Sequence, residues 1–322
     1  MAACLMFEQA GFAQVAPQAI SLPALPAYVQ NLAPVADKFR PVHLRSISFD
    51  SENNNYNLLL DKGDTPVLQP HQTQEAARKI VEYFEIGLRL PNSMFWVNLR
   101  PDAPDQIIDP YLAKTDVGRI LLEADLQLKK DLSRFTSPDT REGRRYWDAL
   151  YAKAESLFGQ EDMEIPTITR PWIVPDEIVI GQGQGNAYIL KATLKVMLEQ
   201  DHLRDAAPYA FTDERMKAMN AYSSQLVRTL ILPRLTREVN ASRRYAGLRQ
   251  VYYSLIAAQW HKKQSANIPD AIAENVDSLS LDDYTSARAW SPETYYAAYR
   301  KSCSEGEYDR EERVSCGTGV TI

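Results

Sequence analysis

Four carboxylates, two on a predicted helix and two at the end of a predicted strand, are the residues of this sequence whose types and spacing could do chemistry. Glu123 and Asp125 lie on a predicted helix, and Glu199 and Asp201 follow a predicted strand. Two carboxyl groups at a suitable separation can serve as general acid and as base or nucleophile, as they do in glycosidases. Because the fold sets that separation, the sequence supports a carboxylate-based hydrolase such as a glycosidase only as an alternative hypothesis.

Two basic residues are the predicted modulators of these carboxylates. Lys195 lies on the predicted strand and Arg249 on a predicted helix. A nearby cation favours the ionised form of a carboxyl group and so lowers its pKa. The helix that contains Arg249 and Gln250 is apolar around most of its circumference, and polar groups in such a helix need buried hydrogen-bond partners. Arg249 is therefore a candidate either for the site or for the core.

Motifs of the common enzyme classes are absent from the sequence. Gly181–Gly185 superficially matches a dinucleotide-binding loop, but a strand follows it where that loop requires a helix. There is no Gly-x-Ser-x-Gly elbow and no phosphate-binding loop. The histidines are too far apart for paired zinc ligands, and Cys303 and Cys316 lack the close Cys-x-x-Cys spacing. We therefore predict no cofactor and no metal site.

Composition favours a binding domain over an enzyme. The 17 Tyr and 5 Trp offer amphipathic contact groups, although the same rings could fill the core. The net charge is −6, with Lys and Arg spread among acidic residues, which argues against nucleic acid as a partner. No apolar run approaches the ~20 residues that span a bilayer. The leading hypothesis is a non-catalytic domain that binds a protein or an envelope polymer, in an oligomeric state that the sequence does not predict.

The longest predicted element is a hairpin from Trp172 to Asp201, with its turn at Gly181–Asn186. Its second strand alternates with the period of two that is typical of a strand with one buried face. The residues predicted to face the core are Tyr188, Leu190, Ala192, Leu194, Val196 and Leu198. A shorter hairpin is predicted from His43 to Leu60, and a buried strand over Met94–Leu99.

Amphipathic helices are predicted around these strands. The clearest begins at Thr115, with an Asp125–Lys129 ion pair on its surface. Its predicted inward residues are Val117, Leu121, Ala124, Leu128 and Leu132. The other predicted helix starts are Thr73, Ser137-Pro138, Thr212-Asp213, Ser242 and Ser291-Pro292. Because helices interleave with antiparallel strands, the predicted fold class is α+β, an antiparallel sheet containing the long central hairpin, with amphipathic helices packed on one face.

The two ends of the chain are predicted to lie outside a single domain of residues 43–301. Residues 1–16 have features of an export signal, an apolar run followed by an Ala-rich segment, although Glu8 interrupts the pattern and a frayed N-terminus is the alternative. Residues 17–42 read as a Pro/Ala-rich linker, and residues 302–322 as a disordered tail. Cys303 and Cys316 would pair in an oxidising compartment or remain free thiols. We therefore expect an extracytoplasmic location.

Three groups of segments carry a family resemblance. They are Phe95–Leu99 with Thr115–Arg119 and Asp125–Lys129, Pro171–Pro175 with Leu194–Glu199, and Leu248–Tyr252. In these segments the chain resembles an uncharacterised family of large exported bacterial proteins with no assigned activity. The resemblance covers roughly residues 90–262, and it implies export, periplasmic or secreted, and a single domain over that span. It carries over no catalytic residues.

Overall fold

The fold comes from a computed structural model that describes residues 35–50, 55–66, 69–90, 108, 110–159, 171–183, 186–203, 213–265 and 284–304. Helices and antiparallel strands both occur in these ranges, so the predicted α+β class is confirmed. The predicted strand Met94–Leu99, the predicted export signal and the tail from residue 305 onwards, including Cys316, lie outside the described residues.

The strands form two antiparallel hairpins. β1 (His43–Asp50) pairs with β2 (Asn55–Asp61), and β3 (Pro171–Gly183) pairs with β4 (Asn186–Leu198). Within the described residues, each hairpin is a two-stranded sheet of its own. Both predicted hairpins are therefore present, and the longer one spans almost the predicted range.

Helices pack against both hairpins. In chain order they are α1 (Pro70–Arg89), α2 (Pro110–Ala113), α3 (Asp116–Thr136), α4 (Arg141–Phe158), α5 (Glu199–Leu203), α6 (Glu214–Leu226), α7 (Leu232–Ala241), α8 (Ala246–Ser265) and α9 (Pro292–Ser304). A π-helical turn, Val227–Ile231, joins α6 to α7, and a short 3₁₀ turn, Arg243–Tyr245, precedes α8.

Several helix starts follow local capping, and those of α1 and α4 differ from the predictions. α3 begins after Thr115, as predicted, because the Thr115 hydroxyl accepts a hydrogen bond from the Gly118 amide. α1 begins before the predicted Thr73, because proline, with its fixed φ, fits the first helical turn. α4 begins after the predicted Ser137, because the Thr140 hydroxyl caps it instead.

The core is centred on α3 and α8. All of the inward residues predicted for α3 are buried, and α8 buries residues around much of its circumference, as its composition indicated. α1 packs closely against α8 at Gly87, where a side chain would not fit: a Cβ there would lie 2.8 Å from the Cβ of Ala258 and 2.9 Å from Leu255 Cδ2. This contact explains why a glycine interrupts an otherwise ordinary helix.

The π-helical turn sits next to Pro233, a residue type that usually kinks or ends a helix. The Leu232 amide donates to the Val227 carbonyl, five residues back, and Pro233 follows as the second residue of α7. Proline cannot donate to the helical ladder, and a π turn is a common way of accommodating such an interruption. The helical path therefore continues through α7 to Ala241 instead of ending.

The core-facing residues of β4 are only partly those predicted. Leu194, Val196 and Leu198 are buried, but Tyr188 and Leu190 are exposed, and Ala187 and Ile189 face the core in their place. The reason is a β-bulge, since Val179 pairs with Lys191 while the next residue, Ile180, pairs with Ile189. The extra residue, Leu190, shifts the alternation by one position and reverses the faces beyond it.

The last residues of the predicted linker lie against the junction of α7 and α8. The Phe39 amide donates to the Ala241 carbonyl at 2.8 Å, and the Arg243 amide donates to the Asp37 carbonyl at 3.0 Å. The Arg243 guanidinium also lies 4.0 Å from the centre of the Phe39 ring. Regular contacts with the domain therefore begin some residues before β1.

Candidate functional site

The two candidate carboxylates on α3 belong to different ion pairs. Glu123 is partly exposed, and its Oε1 accepts a hydrogen bond from Arg119 Nη1 at 2.6 Å. Arg119 also bonds to Asp116, so Glu123 continues a row of charges along the helix surface. Glu123 therefore has a cationic partner on its own helix.

Asp125 is largely buried, contrary to its predicted place in a surface ion pair. The pair with Lys129 is present, at 2.5 Å, but Asp125 Oδ2 also accepts a hydrogen bond from the Tyr295 hydroxyl at 2.6 Å. Tyr295 is fully buried and comes from α9, so this carboxylate joins α9 to α3. Asp125 thus has partners that account for it structurally.

Asp201, in the short helix α5, makes a two-pronged ion pair with Arg228. Its two oxygens accept hydrogen bonds from Arg228 Nη2 and Nε at 2.7 and 2.8 Å. Glu199 is the first residue of α5 and is partly buried. Glu123, Asp125 and Asp201 therefore each pair with a different cation, and the carboxylate-based hydrolase stays a prediction.

Arg249 has the buried partners that its position in α8 required. Its Nη1 donates to the Val239 carbonyl at 2.7 Å, and its Nη2 donates to the carbonyls of Phe39 and Ser242 at 2.6 and 2.8 Å. Burial disfavours the charged guanidinium and lowers the pKa of Arg249 to about 10. Arg249 thus joins the segment before β1 to the α7–α8 junction.

Lys195 and Gln250 also have polar partners in the described structure. Lys195 lies 3.8 Å from Asp176 across the long hairpin, and Gln250 donates to the Val42 carbonyl at 2.7 Å. Ser242 precedes the 3₁₀ turn, but its buried hydroxyl makes no hydrogen bond within the described ranges, so it does not cap the helix as predicted.

In the part of the chain that the structure describes, no three His, Cys, Asp or Glu side chains are grouped so that they could hold a metal ion. None of the helices described there combines the length and the apolar character needed to cross a membrane.

The two outer edges of the long hairpin differ sharply. Along β4, side chains bind the outward backbone groups: Asn240 bonds to both the amide and the carbonyl of Leu194, and the Thr236 hydroxyl accepts from the Val196 amide at 3.0 Å. Nearer the turn, Arg45 Nη1 donates to the carbonyls of Ile189 and Leu190. The outer edge of β4 is thus closed to another strand.

In the part of the chain that the structure describes, the outer edge of β3 is open in its distal half. The carbonyl of Ile189 points away from β3 toward Arg45, so the opposite residue, Ile180, directs its own N–H and C=O away from β4. Because backbone directions repeat every two residues along a strand, the N–H and C=O groups of Ile178 and Gln182 also point away from β4. No hydrogen bond within the described residues reaches these outward groups.

Exposed apolar side chains lie beside this open edge. Val179, Tyr188 and Leu190, which are 38%, 36% and 61% exposed, surround Gly181, and we call these three residues the hairpin patch. Tyr188 is the direct partner of Gly181, and a Cβ at Gly181 would lie 3.4 Å from Leu190 Cδ1. The missing side chain of Gly181 therefore leaves a shallow notch that Leu190 borders.

Sequence reasoning missed this surface because it placed Tyr188 and Leu190 in the core. The run Ile178, Val179 and Ile180 carried the available signal, since three consecutive apolar residues on a strand must put at least one on each face.

Comparison with protein-family profiles, curated proteins and solved structures finds no match to this chain.

Proposed function

We propose that this protein is a non-catalytic binding domain that accepts an extended segment of a protein as a third strand on the open edge of β3. The observation that carries the proposal is the contrast between the two edges of the long hairpin. β4 is closed by Arg45, Thr236 and Asn240, whereas β3 presents the outward backbone groups of Ile178, Ile180 and Gln182.

An added strand would gain both hydrogen bonds and apolar contacts at this edge. Main-chain bonds to an open edge supply affinity, and alternate side chains supply specificity. Side chains of the added strand on the outer face would cover the hairpin patch, and full burial of a Val or Leu side chain stabilises by ~1.5–3 kcal/mol. No proline or charged residue lies on β3 between Ile178 and Gln182 to oppose pairing.

A protein partner fits this surface better than an envelope polymer. The open edge alternates donors and acceptors with the spacing of a polypeptide backbone. The hairpin patch beside it contains one aromatic ring and two aliphatic side chains. A segment with apolar residues at every second position meets both features at once.

The test is selection of extended peptides from a random peptide library on the purified protein. We expect selected peptides to carry apolar residues at alternate positions and to lose at least tenfold in affinity for Leu190→Lys. Leu59→Lys is the matched control, because Leu59 is also a strand leucine, is 52% exposed and lies on β2. Gln182→Pro removes one outward N–H while leaving an edge strand intact, so it should weaken binding too. Equal binding to wild type and Leu190→Lys would contradict the proposal.

Export is part of the proposed function and is supported by the composition of residues 1–16 alone. The apolar run before Glu8 and the Ala-rich segment after it are the supporting features. Amino-terminal sequencing of the native protein should find a start near residue 17. Recovery of Met1 in the mature protein would count against cleavage.

A further inference from the structure

We propose that the strand which pairs with β3 comes from a second copy of this chain. Two β3 strands would lie antiparallel about a two-fold axis at Ile180, so that the two hairpins form one four-stranded sheet in the order β4, β3, β3, β4. This inference rests on the proposed function, because it uses the same open edge, and it names the occupant.

The outward backbone groups of β3 are self-complementary about Ile180. In an antiparallel pair, residues that direct N–H and C=O toward the partner must lie opposite one another. A two-fold axis at Ile180 places Ile178 opposite Gln182 of the second copy, Ile180 opposite Ile180, and Gln182 opposite Ile178. All outward groups in this stretch therefore find partners, and the two-fold relation closes the assembly at two copies.

The same register fits the side chains of the outer face. Val179 comes to lie opposite Gly181 of the second copy, where no side chain obstructs it and where Leu190 borders the notch. Each copy thus contributes one valine to the notch of the other, and the two hairpin patches join into one apolar surface. An exposed apolar patch beside an unpaired edge is the arrangement that such pairing covers.

Charge is compatible with self-association at this edge despite the net charge of −6. Glu177 pairs with Lys191 at 2.6 Å and Asp176 with Lys195 at 3.8 Å, so the acidic residues of β3 are already neutralised within each copy. In the proposed register these acidic residues lie toward Gln182 and Gly183, at the uncharged end of the second copy's β3. No like charges meet across the axis.

A neighbouring register is less favourable, which makes the choice of axis specific. Moving the axis to Ile178 would place Glu177 opposite Val179. The carboxylate would then face an apolar side chain. The axis at Ile180 avoids this contact.

The experiment is sedimentation of the full chain over a range of concentrations, combined with amide hydrogen exchange. We expect a dimer whose dissociation constant rises at least tenfold in Leu190→Lys and in Gln182→Pro, and which is unchanged in Leu59→Lys. We also expect the amides of Ile178, Ile180 and Gln182 to lose exchange protection as the dimer is diluted.

The outcomes separate this inference from the function on which it rests. A monomer that still binds the selected peptides would overturn the second copy as occupant and leave the proposed function standing. A monomer in which those three amides are protected would show that the same chain covers the edge, and would overturn both. If neither Leu190→Lys nor Gln182→Pro weakens the dimer, the dimer uses another surface and this inference is wrong. The proposed function would still stand if the selected peptides bind.

Discussion

Arg45 on β1 donates a hydrogen bond to the carbonyl oxygen of Ile189 on β4 at 2.9 Å, across 144 residues of sequence. The same Nη1 reaches the Leu190 carbonyl at 3.0 Å, while Nε and Nη2 bind Asp61 Oδ2. The bulge at Leu190 turns two successive carbonyls toward β1, and one guanidinium satisfies both. Arg45 is thus the direct polar link between the two hairpins.

Replacing Arg45 should therefore loosen the junction of the hairpins. We expect Arg45→Met to lower the free energy of unfolding by about 2–3 kcal/mol, because hydrogen bonds to charged groups contribute ~1.5–3 kcal/mol and Asp61 loses its partner. Urea denaturation measures the change. Arg45→Lys should lower the free energy of unfolding by less, because lysine keeps the positive charge although it lacks the forked guanidinium geometry. A stability of Arg45→Met within ~0.5 kcal/mol of wild type would contradict this role.

Arg249 is predicted to be structural and not a modulator of catalytic carboxylates. Arg249→Met removes a buried donor from the carbonyls of Phe39, Val239 and Ser242, so we expect a loss of about 3 kcal/mol in the free energy of unfolding. The segment before β1 should detach first, which faster tryptic cleavage after Lys38 would report. Arg300→Met, at an exposed position of α9, is the control. Unchanged cleavage in Arg249→Met would show that Arg249 does not secure this segment.

Two glycines in helices should respond in opposite directions to alanine. Gly87→Ala brings a methyl group into the contact with Ala258 and Leu255, and overpacking of this kind costs ~1–3 kcal/mol. Gly247→Ala places its Cβ 3.5 Å from Ile120, an ordinary contact, so the higher helix propensity of alanine should stabilise by ~0.5–1 kcal/mol. Thermal unfolding of the two variants makes the comparison. Equal effects would mean that α1 and α8 are not packed so closely.

His261 should make the protein less stable in mild acid. Burial lowers the pKa of the His261 imidazole, while its hydrogen bond to the Ile47 carbonyl opposes the change, and burial lowers the pKa of His43 as well. As the pH falls, the unfolded chain, in which histidine pKa values are ~6.5, binds protons that the folded chain does not bind. Stability should therefore be full above about pH 7 and fall as pH drops below ~6.5.

Urea denaturation at about pH 7.5 and about pH 5 tests this prediction. The decrease in the free energy of unfolding between these two pH values should be smaller in His261→Gln, whose amide can still donate to the Ile47 carbonyl. His71→Gln, at an exposed position of α1, should keep the full pH dependence. A His261→Gln variant with the wild-type pH dependence would remove His261 as the cause.

The parts of the fold that sequence predicted are those with a local signal. The helical spacing of Val117 to Leu132 predicted the inward face of α3, and the hydroxyl of Thr115 marked its start. The alternation before and after the turn predicted the long hairpin, and Pro292 marked the start of α9. Each of these depends on residues within a few positions of one another.

The parts that sequence did not predict depend on distant contacts or on a local exception to the pattern. The apolar alternation runs straight through Leu190, so nothing in it revealed the bulge that reverses the faces. Asp125 was expected on the surface because its neighbour Lys129 explained it, yet Tyr295, 170 residues later, covers it. The difference between the two edges of the hairpin depends likewise on Arg45 and Asn240, which are remote from β4 in sequence.

The closed edge of β4 also has a consequence for biosynthesis. The Thr236 and Asn240 side chains that cover it follow their partners by 40 and 46 residues. At ~5–20 residues per second, the ribosome needs roughly 2–9 seconds to add that length of chain. During this interval the backbone groups of Leu194 and Val196 lack the α7 side chains that later bind them. The rate of translation between β4 and α7 should therefore affect the yield of correctly folded protein more than its final stability.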